Sequence, residues 1–244
     1  MTAPRWLDLD GTHNVRDVGG LRAAEGRVRS GVLLRGDHLE DLTTAGAAQL
    51  CDVIGLRAIV DLRAPTERPV AGPWMDGRAI DRLHLPLVDM TRSVEVYRKP
   101  DGTLDLVAVY RVTIDEAGPL LVQILRFVVA AGHIPVLVHC AAGKDRTGIA
   151  VAVLLAAAGV DPDEIVADYA ATGLRLDRVR AALVRRDNFV LAGPALPELL
   201  DPAPIRTVLT ALDEAGGAEA FLLRHGASTD ELAGWRELAI ESPA

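Results

Sequence analysis

Among the 244 residues of this chain only two are cysteine, Cys51 and Cys140. Two thiols make no disulfide framework, so the small stapled secreted class is excluded and a reducing compartment fits. Lysine is as scarce: of 26 Lys plus Arg, only Lys99 and Lys144 are lysine. No apolar run reaches the roughly 18 residues of a membrane helix, and the start is not basic then apolar. A membrane span and an ordinary signal peptide are therefore not expected. The cytoplasm is the default compartment, with leaderless secretion left open. No Gly-x4-Gly-Lys-[Ser/Thr] occurs, which excludes Walker-type nucleotide binding. Nor is there a His-Glu-x-x-His or paired-cysteine motif, so no metal and no cofactor is expected. The net charge of −8 argues against general nucleic-acid binding. No fixed-period repeat and no low-complexity tract is found.

What is present centres on Val136-Leu-Val-His-Cys-Ala-Ala-Gly-Lys-Asp-Arg-Thr-Gly148. Val136 to Val138 reads as a buried strand, and Ile149 to Ala158 as a buried helix stopped by Gly159. Cys140 thus falls where a strand ends and Thr147 where a helix begins. The first N–H groups of a helix lack internal partners and carry partial positive charge, which makes the junction an anion site. None of residues 141 to 146 is proline, so each keeps its donor. A tight turn aims such donors at one centre, a nest for three phosphoryl oxygens. Arg146 adds a planar fork for two oxygens. The same positive surroundings favour a thiolate at Cys140, placed as an in-line nucleophile. Gly143 gives the turn its freedom. One of two lysines in the chain stands in this loop.

His139-Cys140-x5-Arg146-Thr147 resembles the cysteine-based protein tyrosine phosphatase superfamily. The longer His-Cys-x-Ala-Gly-Lys-Asp-Arg-Thr-Gly is similar, more closely, to the bacterial PtpB-like tyrosine/serine phosphatases. Asn14-Val-Arg-Asp-Val-Gly-Gly20, Val60-Asp-Leu-Arg-Ala-Pro-Thr-Glu67 and Gly159-Val-Asp-Pro-Asp-Glu-Ile-Val-Ala-Asp-Tyr169 resemble the same family in the same order. The resemblance is weakest over 89–115 and 187–205. It implies a phosphatase acting on phosphotyrosine and on phosphoserine/threonine, with phosphoinositides as an alternative substrate. Cys140 is then the nucleophile. Arg146 holds the phosphoryl group with Ala141, Ala142, Gly143, Lys144 and Thr147. Thr147 donates to the thiolate, and His139 fixes the loop. The general acid stays open: there is no Trp-Pro-Asp, and Asp89, Asp105 and Asp115 are loose candidates. In the PtpB-like family the residue matching Asp145 is thought to serve, and it is favoured here. Lys144 is expected as a mobile charge at the pocket rim, as in phosphatases that accept phosphoinositides. A silent phospho-ligand binding module and a rhodanese-like sulfur transferase are the other readings. The first usually lacks the Cys or Arg, and Lys-Asp-Arg-Thr-Gly speaks against the second.

Elsewhere helical and strand patterns alternate from residue 43 to 158, so an α/β fold with a mainly parallel central sheet flanked by helices is expected. A single domain spans 1–244. Asp41 to Thr44 caps a helix running to Ile54, where Cys51 is core. Ala58 to Leu62 is a strand with Asp61 and Arg63 at its C-terminal end, where open sheets place their sites. Asp61 either pairs with Arg63 or orients the loop. Residues 89–115 read as an irregular loop beside the site. Pro119 to Ala131 is a helix. Asp161-Pro-Asp-Glu164 opens another, and Arg175 to Arg186 forms a basic one. Residues 159–204 make a helical lid and connector, and 205–241 three short helices that form a C-terminal cap.

Overall fold

The computed structural model describes residues 2–67, 73–75, 77–87, 97, 99–100, 102–185 and 201–242. Its centre is a six-stranded sheet in the order β1-β2-β5-β8-β6-β7. β1 (Arg5–Trp6) and β2 (Arg16–Asp17) form an antiparallel edge. β5 (Leu33–Gly36), β8 (Val136–His139), β6 (Ala58–Asp61) and β7 (Asp81–His84) run parallel. The expected parallel α/β architecture is what is found. A second sheet, which the sequence did not suggest, joins β3 (Arg22–Ala23) and β4 (Gly26–Val28) to β9 (Ile240–Glu241).

Side-chain alternation divides the sheet between two cores. Leu33, Ala58, Val60, Val136 and Val138 face the larger one. Leu34, Ile59 and Leu137 face a smaller one with Leu42, Leu50 and Trp74. That smaller face is covered by α1 (Thr44–Ala48) and a π-helical turn (Gln49–Val53). Thr43 caps α1 by accepting from the Gly46 N–H at 3.2 Å. Parallel strands covered on both faces read as continuous apolar runs, and β8 is buried at every position.

The larger face carries α2 (Leu106–Glu116), α3 (Gly118–Val129), α4 (Asp145–Ala157) and α5 (Pro162–Ala171). α2 corrects the sequence reading, which took 89–115 as irregular. Asp105 caps it through the Ala108 N–H at 3.0 Å, and Val109, Tyr110, Thr113 and Ile114 are its buried stripe. The apolar spacing at 106, 109, 110 and 114 is helical. Polar and β-branched neighbours hid it. The earlier part of that supposed loop, 88–96, lies outside the described residues, as does Asp89.

α6 (Leu176–Arg185) follows, then α7 (Ala203–Glu214), α8 (Ala218–Arg224) and α9 (Thr229–Ala239), close to the helices expected there. α7, α8 and α9 pack on α2, α3 and α4. Enclosed between sheet and helices, α4 has almost no solvent face. Trp235 Nε1 of α9 donates to the Leu154 carbonyl at 2.7 Å, near the C-terminal end of α4. Most of the 187–204 connector, with Arg186, lies outside the described residues. No helix among the described residues is long and apolar enough to cross a membrane.

Candidate active site

Strand register sets the position of the site. Gly36, His139, Asp61 and His84 form one row across the carboxyl ends of the parallel strands. The chain leaves that row at Asp37, Cys140 and Leu62, so three loops meet where open α/β sheets bind ligands. The helix after Cys140 begins at Asp145, two residues before the expected Thr147.

Between Cys140 and α4 every loop carbonyl is taken from outside the turn. The Ala141 carbonyl accepts from the His38 N–H at 3.1 Å. That of Ala142 accepts from Asn14 Nδ2 at 2.9 Å, and that of Gly143 from Arg35 Nη2 at 3.0 Å. Lys144 receives the Gly148 N–H at 2.7 Å, and the Cys140 carbonyl lies 3.3 Å from His139 Nδ1. With the carbonyls turned outward, the N–H groups of 141–144 donate to no backbone carbonyl of the described residues. A peptide unit that commits its oxygen to one side presents its N–H to the other. Gly143 makes this turn possible. It sits at φ 69°, and a Cβ there would lie 2.5 Å from the Gly36 carbonyl.

Arg146 is buried, and both its terminal nitrogens reach Glu67, Nη2 to Oε1 at 2.7 Å. Ala64 N–H holds Glu67 Oε2 at 2.8 Å. Burial works against the Arg146 charge, yet Glu67, with Cys140 and Asp145 nearby, keeps it firmly protonated. Thr147 Oγ1 is fully buried and has no hydrogen-bond partner among the described residues. Cys140 itself is 2 % exposed.

Asp61 and Arg63 form a fork-to-fork pair, Nε to Oδ1 and Nη2 to Oδ2 both at 2.9 Å, and Arg63 also binds Glu40. Burial alone would raise Asp61, but Arg63 holds its carboxyl well below the usual range. His139 Nε2 stands 3.9 Å from Asp61. Burial pushes the imidazole down to about 4, so it is neutral near pH 7. Its place is under the loop, braced by Asp61 and the Cys140 carbonyl.

Lys144 is not at the rim. It is 2 % exposed, with Nζ bonded to Asp145 Oδ1 at 2.9 Å and to the Tyr169 hydroxyl at 2.7 Å. Two close carboxylate and phenol acceptors outweigh solvent here, because an ammonium with partners can be buried. Burial raises the Asp145 carboxyl, but Lys144, the Tyr110 hydroxyl and Arg146 hold it below the ordinary carboxylate range. Asp105 serves as a helix cap, and Asp115 pairs with Arg111 at 3.0 Å. Val179 and Leu183 of α6 pack against Ala141 and Ala142, making that helix one wall of the loop.

Residues 7–241 match the family model described as a tyrosine phosphatase family. The chain belongs to that family. A Cupriavidus necator protein named as a tyrosine-protein phosphatase is 30% identical over 240 residues, covering 92% of this chain and 85% of its own. The triple specificity protein phosphatase PtpB of Mycobacterium tuberculosis is 32% identical over 204 residues, 72% of each chain. Among solved structures, TpbA of P. aeruginosa in complex with phosphotyrosine overlaps with a TM-score of 0.39 at 18% identity, over 72% of this chain and 88% of that one. The phosphatase is thus a cysteine-dependent enzyme acting on phosphorylated substrates.

Several residues of this phosphatase site escaped the sequence reading. Glu67 lies in a segment that carried the family resemblance but was given no role. Asn14 and Arg16 lie in another such segment, and the structure joins them in a buried network. Arg16 Nε reaches Asp168 Oδ1 at 2.8 Å, Arg35 Nη1 reaches Oδ2 at 2.5 Å, and Arg16 Nη1 reaches Asn14 Oδ1 at 2.7 Å. Asp168 and Tyr169 end a third such segment and likewise had no assigned role, while Arg35 and Tyr110 had no local signal beyond their polarity.

Proposed function

We propose that this phosphatase hydrolyses phosphotyrosine and phosphoserine/threonine monoesters through a phosphocysteine at Cys140, with Asp145 as general acid. The observation that carries the reading is the set of outward-held carbonyls at 141–143, which leaves the loop N–H groups after Cys140 without backbone partners among the described residues, next to the buried Arg146. Donors fixed in advance stabilise developing charge without reorganisation. Cys140 Sγ attacks phosphorus as the ester P–O bond breaks, and the leaving oxygen takes a proton from Asp145. Water then attacks phosphorus, Asp145 accepts its proton, and the S–P pair returns to sulfur. The Thr147 hydroxyl, which has no hydrogen-bond partner among the described residues, then stabilises that thiolate. A single domain over 1–244, with 159–204 as lid and connector, completes the reading. The free thiols Cys51 and Cys140 suit a reducing cytoplasm.

Phosphoinositides are the second substrate class. Arg178 and Arg185 of α6, with Arg175 just before it, press on His13 and, after burial itself, help lower its pKa, so positive charge gathers beside the loop. The M. tuberculosis relative is named for triple specificity. With Lys144 buried, any such preference rests on this helix. The test is hydrolysis of a phosphotyrosine peptide, a phosphothreonine peptide and a phosphoinositide panel, with Cys140→Ser alongside. Turnover of both peptides, reduced on the order of 10⁴-fold or more in Cys140→Ser, is expected. Turnover of phosphotyrosine alone makes the enzyme narrow. Phosphate binding without turnover makes it a binding module.

A further inference from the structure

Asp145 is held by a closed ring of hydrogen bonds drawn from three elements. Tyr110 Oη of α2 lies 2.7 Å from Asp145 Oδ1, and Lys144 Nζ lies 2.9 Å from the same oxygen. Lys144 also reaches Tyr169 Oη of α5 at 2.7 Å, and the two phenol oxygens are 2.8 Å apart. An ammonium only donates, so Lys144 is donor in both of its bonds. Tyr110 gives its single proton to Asp145. Between the phenols, then, Tyr169 donates to Tyr110. Every proton in the ring is assigned, and two of them, from Tyr110 and Lys144, are donated to one carboxylate oxygen. Asp145 Oδ2 accepts nothing from the described residues, and the Asp145 side chain is 14% exposed while that of Lys144 is 2%.

The ring is built into the core. Tyr110 is 1 % and Tyr169 2 % exposed. Tyr169 lies so close to the start of α4 that a Cβ on Gly148 would meet its ring at 2.8 Å. The two tyrosine rings meet edge to face, with centroids 6.2 Å apart, and Lys144 Nζ stands 4.9 Å from the Tyr169 ring centre. Buried phenols are expensive unless bonded, and these two are bonded to each other and to charges.

We propose that Tyr110 and Tyr169 are positioning residues for proton transfer: with Lys144 they fix Asp145 Oδ1 and leave Oδ2 as the oxygen that carries the proton. The proposal rests on Asp145 being the general acid. In the first step the Sγ–P bond forms and the P–O bond breaks. Its electron pair goes to the leaving oxygen, which takes the proton from Oδ2. The carboxylate left behind has its new charge met by Lys144 and Tyr110. In the second step the same oxygen accepts a proton from the attacking water.

The groups facing Asp145 act in two senses. Lys144, Tyr110 and Arg146 favour its charged form against burial. The Cys140 thiolate and the bound phosphoryl dianion oppose it and keep it protonated in the substrate complex. Burial and the neighbouring Asp145 raise Tyr110 well above an ordinary phenol, so it stays a donor throughout. Tyr169 is likewise raised, chiefly by burial.

The test is the pH dependence of kcat with a poor leaving group, for which proton delivery limits, in Tyr110→Phe, Tyr169→Phe and Asp145→Asn. A general acid is active while protonated, so kcat falls as pH rises through its pKa in the substrate complex. Loss of the Tyr110 hydroxyl removes a bond to the charged form, and the high-pH limb should move up by about one unit. Tyr169→Phe, one bond further out, should move it the same way by less. Both should leave rates with a good leaving group within about twofold and vanadate affinity unchanged. An unmoved limb in both variants, or an equal rate loss with all leaving groups, overturns the positioning role. A limb that persists in Asp145→Asn overturns the acid assignment instead. Phenylalanine keeps both rings in place, and thermal unfolding of each variant reports whether the core survives.

Discussion

Two buried polar networks grip the same loop, and they differ in what they grip. Arg16, Asp168 and Arg35, with Asn14, hold backbone oxygens of Ala142 and Gly143. Lys144, Tyr169 and Tyr110 hold one side-chain oxygen, that of Asp145. The first clamps two guanidiniums on one carboxylate, with the Asp37 carboxylate close enough to act on Arg16, beneath a site for anions. The second is balanced, one ammonium against one carboxylate, with two neutral phenols between. The first sets the shape of the loop and the second its proton. Asp168 and Tyr169, adjacent on α5, belong one to each.

If that division is right, damage to each side has a different readout. The largest effect is expected from Asp168→Asn, which leaves Arg16 and Arg35 buried without their carboxylate. Breaking such a group typically costs about 3–5 kcal/mol. Urea unfolding should show it, and residual activity should fall with all substrates alike. Asp145→Asn attacks the other side. It should lower kcat/KM by about 10²–10⁴-fold with poor leaving groups and far less with good ones, and it also lowers the unfolding midpoint because Lys144 is left buried without its carboxylate, so the leaving-group contrast is the readout that separates the two sides. Equal losses across leaving groups would merge the two networks into one.

A smaller, pH-dependent effect sharpens the contrast. Asp37, whose carboxylate accepts the His13 and Asn14 N–H groups at 3.0 and 2.9 Å, supports the backbone-holding side. Burial pushes it up to about 6, against the downward pull of those bonds. A raised carboxyl makes the folded state the better proton binder between the unfolded value near 4 and 6. Stability from this group is therefore lost as pH rises through that window. Asp37→Asn should gain on the parent protein from about pH 4 to pH 6, by up to about 3 kcal/mol, and hold a constant difference above. A flat difference across that window would show that Asp37 ionises freely. The smallest effect is that of Tyr169→Phe, a limb shift under one unit with little change in stability.

The same division explains what was legible in the sequence. The strand into Cys140, the loop and α4 are contiguous in the chain, and strand period, glycine and helix start are local signals. So the central site emerged from thirteen consecutive residues. Its supports did not. Asn14, Arg35, His38, Glu67 and Asp168 arrive from four distant segments, and only strand register and helix packing bring them to the loop. Lys144 shows the limit within the motif itself. Its neighbours in sequence are small and polar, which suggests exposure, whereas its partner Tyr169 comes from another helix. Tyr110 was hidden twice, by its distance and by a helix whose start, Asp105, looked like part of a loop.

Successive residues on an α-helix point about 100° apart, since a turn holds 3.6 residues. At 168 and 169 the helix therefore offers evolution two neighbouring positions under unrelated demands. A change at the first threatens the fold, while a change at the second retunes chemistry in a protein that still folds. Lineages that drift in pH optimum or leaving-group preference have room to do so at 169 and at its partner 110. An insertion of a single residue into α5 upstream of both would rotate them together and lose the two functions at once.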